Sequence, residues 1–132
     1  MAQRKSEQIA CSKDGKRAIH IDSQNKTEIL EYIQRSDKHK KKFDYIAGLI
    51  LQGIKNTEVY DKENINSRCK DVTAMKFFNG GGSNDRFYCK EIHTEQGIFV
   101  IIAAILHEKK KSQKNSNREI TLIEQVGTYD YQ

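Results

Sequence analysis

The stretch Ile98-Phe-Val-Ile-Ile-Ala-Ala-Ile-Leu106 decides the fold. Its residues are apolar at odd and even positions alike, which is the pattern of a strand covered on both faces of a sheet. A helix that crosses a bilayer needs about 20 such residues, so this run predicts a central strand and no membrane span. The chain has 132 residues and a mean hydropathy of −0.79. These values predict one polar but globular domain.

Two more strands are predicted just before the central one. Residues 72–78 and 86–93 are rich in aromatic and apolar side chains, and turn-rich segments at 79–85 and 94–97 separate the three strands. Strands that follow one another through short turns predict an antiparallel meander. The glycines Gly80-Gly81-Gly82 are not followed by the Lys-Ser/Thr of a phosphate-binding loop, so a flexible hairpin loop is the better interpretation.

Helical periodicity dominates the preceding segment. Asn25 followed by Glu28 predicts a capping pair at a first helix, and a second helix is predicted over residues 38–55. Its apolar stripe has 3.6-residue spacing and consists of Phe43, Ile46, Ala47, Ile50, Leu51 and Ile54. The short junction between the two helices predicts a helical hairpin.

The remaining segments complete the predicted order. Residues 17–22 alternate as a short strand, residues 1–16 form a loose arm, and residues 57–71 form a connection. A last helix is predicted over 117–126, with Asn117 as its cap and Gly127 as its stop signal. The expected fold is an α+β domain over residues 17–132 with the order β-α-α-β-β-β-α.

Charge gives the first functional indication. The 23 Lys and Arg exceed the 18 Asp and Glu, and the excess lies in two blocks. One block is residues 38–42, and the other is residues 109–111 together with Lys114 and Arg118. Such blocks favour a polyanionic partner such as nucleic acid. For the first block, a solvated basic face is the better interpretation.

The sequence lacks the motifs that would predict several other kinds of site. The three cysteines are far apart and the four histidines have no ligand spacing, so neither a disulfide framework nor a metal site is predicted. There is no Gly-x-Ser-x-Gly elbow, and the acidic residues lie in polar stretches where surface ion pairs are expected. The N-terminus has no apolar signal, so we expect a cytoplasmic protein that uses no cofactor.

A set of basic and aromatic residues remains. Arg86, Tyr88 and Lys90 share one face of their predicted strand, and Lys76 lies on the neighbouring strand. His107 ends the central strand, and Tyr129 follows the last helix. Such residues suit RNA cleavage without a metal, because the ribose 2′-hydroxyl is the nucleophile and the protein need only move protons and stabilise charge. The same set would serve nucleic-acid binding alone equally well.

Three stretches resemble the RelE/ParE superfamily of bacterial toxins, and most nearly its HigB-like, phage-derived branch. They are Lys76-Phe-Phe78 with Arg86-Phe-Tyr88, His107-Glu-Lys-Lys-Lys-Ser-Gln-Lys114 after the central strand, and Arg118-Glu-Ile120 with the closing Tyr129. The sequence departs from the family pattern in its longer loop at 79–85, its extra N-terminal arm, and the lack of a proline near Ser116.

The resemblance implies the toxin of a type II toxin–antitoxin system. Such a toxin cleaves mRNA on the ribosome without a metal and is silenced by an antitoxin protein. By position, the catalytic candidates are Arg86, His107 and Tyr129. The RNA-binding candidates are Lys76, Tyr88, Lys110, Lys114 and Arg118.

Two alternatives stay open. One is a non-catalytic module of the same fold, either a degenerate toxin or a gyrase-directed relative. The other is a plain nucleic-acid-binding protein that uses its basic face.

Overall fold

The computed structural model describes residues 3–63, 65–78, 84–108 and 117–131. Over these residues the chain forms three α-helices, one short 3-10 helix and eight strands. In chain order the elements are β1 (Gln3–Arg4), β2 (Ser6–Cys11), β3 (Arg17–Asp22), α1 (Lys26–Ile33), α2 (Asp37–Gln52), β4 (Tyr60–Lys62), the 3-10 helix (Ser67–Cys69), β5 (Val72–Lys76), β6 (Arg86–His93), β7 (Phe99–His107), α3 (Asn117–Thr128) and β8 (Asp130–Tyr131).

Six strands form one mostly antiparallel sheet in the order β2-β3-β7-β6-β5-β4. The predicted meander is confirmed, because β5, β6 and β7 pair antiparallel in sequence order. β3 pairs parallel to β7, with Ile19 opposite Ile101, after α1 and α2 have carried the chain away from it. The predicted α+β class and the positions of all three helices are therefore confirmed. Residues 79–83 of the glycine-rich loop predicted at 79–85 lie outside the described residues.

The N-terminal segment differs from the loose arm predicted for residues 1–16. β2 pairs antiparallel with β3 at the edge of the sheet, and β1 pairs parallel with β8, with Gln3 opposite Asp130. Most β2 side chains are exposed on both faces, so the segment has no apolar alternation for a sequence pattern to detect. Backbone hydrogen bonds and the ion pair between Arg4 and the buried Asp22 hold it instead. The connection predicted at 57–71 likewise contains β4 and the 3-10 helix.

Two predicted helix signals have other roles in the structure. Asn25 makes no capping bond, and its Nδ2 donates to the carbonyl oxygen of Ala104 at 2.7 Å. Gly127 lies inside α3 and does not stop it. A Cβ on Gly127 would lie 2.2 Å from the carbonyl oxygen of Arg68, so this glycine lets α3 approach the 3-10 helix closely.

The sheet separates two apolar layers, which we call the hairpin face and the α3 face. On the hairpin face, α1 and α2 pack over an aromatic cluster that includes Tyr32, Phe43, Phe77 and Phe87. On the α3 face, Ile123 and Val126 pack over the small residues Cys69, Val72, Ala74 and Ala104. Residues 100–104 of β7 are buried between the layers, which confirms the predicted central strand.

None of the described helices combines the length and apolar character needed to cross a membrane.

Candidate functional site

Strand pairing brings three of the predicted site residues together. Lys76 of β5 lies opposite Arg86 of β6, and Arg86 lies opposite His107 of β7. Residues directly opposite one another in an antiparallel pair project from the same face, with Cβ atoms about 4.5–5.5 Å apart. Lys76, Arg86 and His107 therefore form a row across three strands, which we call the basic row. Tyr88, two residues after Arg86, belongs to the cluster on the α3 face and shows which face the row occupies.

Arg86 is the most deeply buried member of the basic row, with only 2% of its side chain exposed. Its Nη1 lies 3.7 Å from Oε1 of Glu63, and its Nε donates to the carbonyl oxygen of Asn84 at 3.4 Å. Its Nη2 has no hydrogen-bond partner among the described residues. A buried charged donor without an acceptor is costly, and an anion reaches Nη2 only after the neighbouring side chains move, because the atom is covered.

His107 is held by a carboxylate from α3. Its Nε2 lies 2.9 Å from Oε2 of Glu119, and both side chains are nearly buried. Glu119 stands in the first turn of α3, where the helix dipole favours a negative charge. When Nε2 donates its proton to Glu119, Nδ1 of the neutral imidazole is left as a proton acceptor. The carboxylate also stabilises the imidazolium that forms once Nδ1 is protonated.

Tyr88 lies against His107 in the interior. The two ring centroids are 6.1 Å apart and the planes are 18° from parallel. Burial raises the pKa of the Tyr88 phenol above its ordinary value, so the hydroxyl stays protonated and can donate a hydrogen bond. Within the described part of the chain, that buried hydroxyl has no partner. Tyr88 and Arg86 thus supply two unused donors beside the imidazole.

Lys76 is the accessible end of the basic row. The side chain is half-buried, and Nζ donates to the carbonyl oxygen of Thr57 at 3.3 Å. No ion pair joins Lys76 to a described carboxylate. Its charge therefore remains available to a phosphate.

Tyr129 is not brought to the basic row. It follows the C-terminal end of α3, ten residues after Glu119, which corresponds to roughly 15 Å along a helix axis. There its hydroxyl accepts from Nε2 of Gln125 at 2.9 Å, and the Arg4 guanidinium lies 3.9 Å from its ring centroid. The structure therefore separates Tyr129 from the other two catalytic candidates, Arg86 and His107.

Lys90 shares a strand face with Arg86, as predicted, but serves the other end of α3. Its Nζ donates to the carbonyl oxygen of Gly127 at 3.0 Å and to that of Tyr129. A cation on the last carbonyls of a helix complements the helix dipole. Burial lowers the pKa of Lys90. These contacts make Lys90 a helix-capping residue.

The other predicted RNA-binding residues lie on or before α3. Arg118 is exposed in the first turn of α3, directly before Glu119. Lys110 and Lys114 lie outside the described residues. Arg118 therefore stands at the same end of α3 as the basic row.

The carboxylates of the site are not predicted from the sequence, because acidic residues in polar stretches are expected to form surface ion pairs. Glu119 could have been found, since its spacing from Ile123 and Val126 places it on the buried face of the helix. Glu63 has no such signal. It approaches Arg86 only because the segment around β4 docks beside β5.

The assembled side chains offer an accessible lysine, a buried guanidinium, a carboxylate-held imidazole and a buried phenol. Such groups can bind an anion and move a proton without a redox centre. Within the described ranges, no three His, Cys, Asp or Glu side chains are grouped so that they could hold a metal ion. In comparisons with known proteins, no family model, no curated protein and no solved structure matches the chain.

Proposed function

We propose that this protein is a metal-independent endoribonuclease that cleaves mRNA on the ribosome, in the cytoplasm, as the toxin of a type II toxin–antitoxin system. The observation that carries the proposal is the basic row of Lys76, Arg86 and His107 beside the His107–Glu119 pair. Apart from β1, β2, β4, β8 and the 3-10 helix, the elements follow the order β3-α1-α2-β5-β6-β7-α3, which is the order that the RelE/ParE resemblance implies and which supports the proposal. An antitoxin protein is the implied partner.

The chemistry needs a base, an acid and charge stabilisation. Nδ1 of His107 takes the proton of the ribose 2′-hydroxyl while the 2′-oxygen attacks the adjacent phosphorus. Lys76 contacts the phosphate oxygens, and the positive charge of the buried Arg86 guanidinium stabilises the pentavalent phosphate from beneath. The bond from phosphorus to the 5′-oxygen breaks, and the imidazolium returns its proton to that oxygen. The products are a 2′,3′-cyclic phosphate and a 5′-hydroxyl.

The test follows mRNA added to purified ribosomes that are translating in the presence of the protein. We expect fragments that end in a cyclic phosphate and begin with a 5′-hydroxyl. A single 2′-deoxy nucleotide at the cleavage position should stop the reaction, because the nucleophile is then missing. Intact mRNA, or fragments with 5′-phosphates, would refute the proposal.

His107→Gln is the sharpest variant, because it keeps a side chain that can donate to Glu119 but removes the proton acceptor. General base catalysis contributes about 10²–10⁴-fold, so the cleavage rate should fall by that factor. Lys62→Ala, an exposed substitution on β4, is the matched control and should cleave at the rate of the unmodified protein. Equal rates for both variants would remove His107 from the chemistry.

A non-catalytic nucleic-acid-binding protein is the second candidate, and the burial of Arg86 favours it. An arginine that is 2% exposed beside Glu63 has the features of a structural ion pair. Binding alone predicts affinity that falls steeply with salt and no turnover. Under that function Arg86→Ala would change affinity only, whereas the nuclease should lose rate far beyond affinity. Inhibited DNA supercoiling with intact RNA would indicate the gyrase-directed relative instead.

A further inference from the structure

A groove on the outer surface of α2 combines cations with aromatic rings. It is open, about 630 Å³ in volume, and is lined by Lys38, Lys41, Lys42, Tyr45 and Phe78. We call it the α2 groove. Its lysines belong to the block at 38–42 for which the sequence favours a solvated basic face, and the two rings distinguish the groove from such a face.

Two of the three lysines of the α2 groove lie against its rings. Nζ of Lys38 is 4.6 Å from the centroid of Phe78, and Nζ of Lys42 is 5.7 Å from that of Tyr45. None of the three lysines forms an ion pair with a described carboxylate. The groove therefore presents up to three positive charges over two aromatic surfaces.

The rings are accessible in a way that the rest of the aromatic cluster is not. Tyr45 is 51% exposed, whereas Phe77 and Phe87 on the hairpin face are fully buried. Phe78 is half-buried and held edge-on by His39, with ring centroids 5.2 Å apart. A fixed ring beside free amines matches single-stranded nucleic acid, whose bases stack on aromatics while its phosphates meet cations.

One wall of the groove is joined to the basic row through the chain, although α2 covers the opposite face of the sheet. Phe78 follows Lys76 by two residues, which is roughly 7 Å of extended chain. We infer that the α2 groove binds the single-stranded RNA that flanks the scissile nucleotide; this inference rests on the proposed function. An acidic protein would satisfy the lysines as well, but it would leave the exposed ring of Tyr45 without a role.

The experiment measures the equilibrium binding of a fluorescein-labelled single-stranded RNA of roughly 12 nucleotides, because such sites cover about 4–16 nucleotides. The RNA carries 2′-deoxy sugars throughout its central nucleotides, so that cleavage does not interfere. Tyr45→Ala should weaken binding by about 10-fold, since one base stack is worth about 1–3 kcal/mol. Tyr45→Phe keeps the ring and should bind as the unmodified protein does.

The lysines are tested through the salt dependence of binding. Replacing Lys38, Lys41 and Lys42 together by Gln should make the negative slope of log K against log salt shallower by about 2. Each single-strand phosphate contact contributes about 0.7 to the steepness of that slope. The matched control replaces the exposed Lys13, Lys16 and Lys62 by Gln and should leave the slope unchanged. Circular dichroism verifies that each variant is folded.

The outcomes separate the groove from the nuclease. Groove variants that bind RNA normally would overturn the inference. If those variants also lost binding to poly-glutamate, which stands in for an acidic protein, the groove would be a site for such a protein instead. RNA binding that depends on the groove, in a protein that leaves ribosomal mRNA intact, would support the groove and refute the nuclease. If the protein cleaves mRNA and the groove variants still bind RNA normally, the nuclease would be supported and the groove refuted.

Discussion

The two faces of the same sheet are built on opposite principles. On the hairpin face, Tyr32, Phe77 and Phe87 meet edge to face at 4.8–5.6 Å, and the Tyr32 hydroxyl donates to Asp85 at 2.7 Å. On the α3 face, small residues surround buried charged groups, and Arg86 Nη2 and Tyr88 OH have no partner among the described residues. The hairpin face is packed for stability, whereas the α3 face keeps buried polar groups that lower the stability of the fold.

The contrast arises within single strands. Residues 87 and 89 of β6 face the hairpin, and residues 86 and 88 face α3, because successive side chains of a strand alternate. Buried donors are almost always satisfied, so the two on the α3 face that lack a described partner support the proposed placement of the functional site on that face. The close packing of the hairpin face gives the strands the rigidity that positions the basic row.

The largest expected effect comes from a substitution in the aromatic cluster of the hairpin face. Phe87→Ala removes a fully buried ring and should lower the free energy of unfolding by about 3–5 kcal/mol. Urea denaturation followed by circular dichroism measures it. Tyr45→Ala, which truncates an exposed ring, is the control and should change stability little. Similar losses for both variants would contradict the division into faces.

A pH-dependent effect is expected on the α3 side at Asp22. Burial alone would raise the pKa of Asp22, but hydrogen bonds from Arg4, Tyr131 and the Gln24 backbone outweigh it and hold that pKa below its ordinary value. The network therefore stabilises the fold above the ordinary Asp pKa of about 4, and this contribution is lost as pH falls through the lowered value.

Asp22→Asn should accordingly cost about 1.5–3 kcal/mol at neutral pH, the range for hydrogen bonds to charged groups. The difference from the unmodified protein should shrink as the pH falls below about 4. Urea denaturation at a series of pH values measures it, with Asp44→Asn on the exposed side of α2 as the control. A difference that is constant with pH would exclude the charged network.

Close packing under α3 gives the next effect. Gly127→Ala places a methyl group against the carbonyl oxygen of Arg68 and should cost about 1–3 kcal/mol by overpacking. Gly48→Ala is matched to it, because the nearest atom to its Cβ is 3.9 Å away in α2. That change should stabilise the protein by up to about 1 kcal/mol through helix propensity. Melting temperatures that shift in the same direction would contradict the packing of α3.

The smallest expected effect tests the contrast between the hairpin face and the α3 face most directly. Tyr88→Phe removes a buried hydroxyl that lacks a described partner and should raise stability by up to about 1 kcal/mol. Under the proposed function the same change should slow RNA cleavage, because it removes a donor beside His107. Thermal unfolding and cleavage are measured on the same preparation. A less stable Tyr88→Phe protein would show that the hydroxyl is satisfied after all.

The sequence by itself determined the elements that bury a periodic apolar stripe. The central strand, the meander, the helical hairpin and α3 all lie where periodicity predicted them, because amphipathic spacing is a local property of the chain. It also placed Arg86, Tyr88 and Lys90 on one strand face. The alternation of side chains requires no knowledge of the partner strands.

Only the tertiary structure decided which of these residues meet. Strand register put Lys76, Arg86 and His107 in one row, and the direction of α3 across the sheet carried Glu119 to His107 and Tyr129 away from it. The N-terminal strands and the approach of Glu63 to Arg86 were likewise decided at that level. Hydrogen bonds and ion pairs between distant segments depend on docking geometry, and that geometry leaves no periodic trace in the sequence.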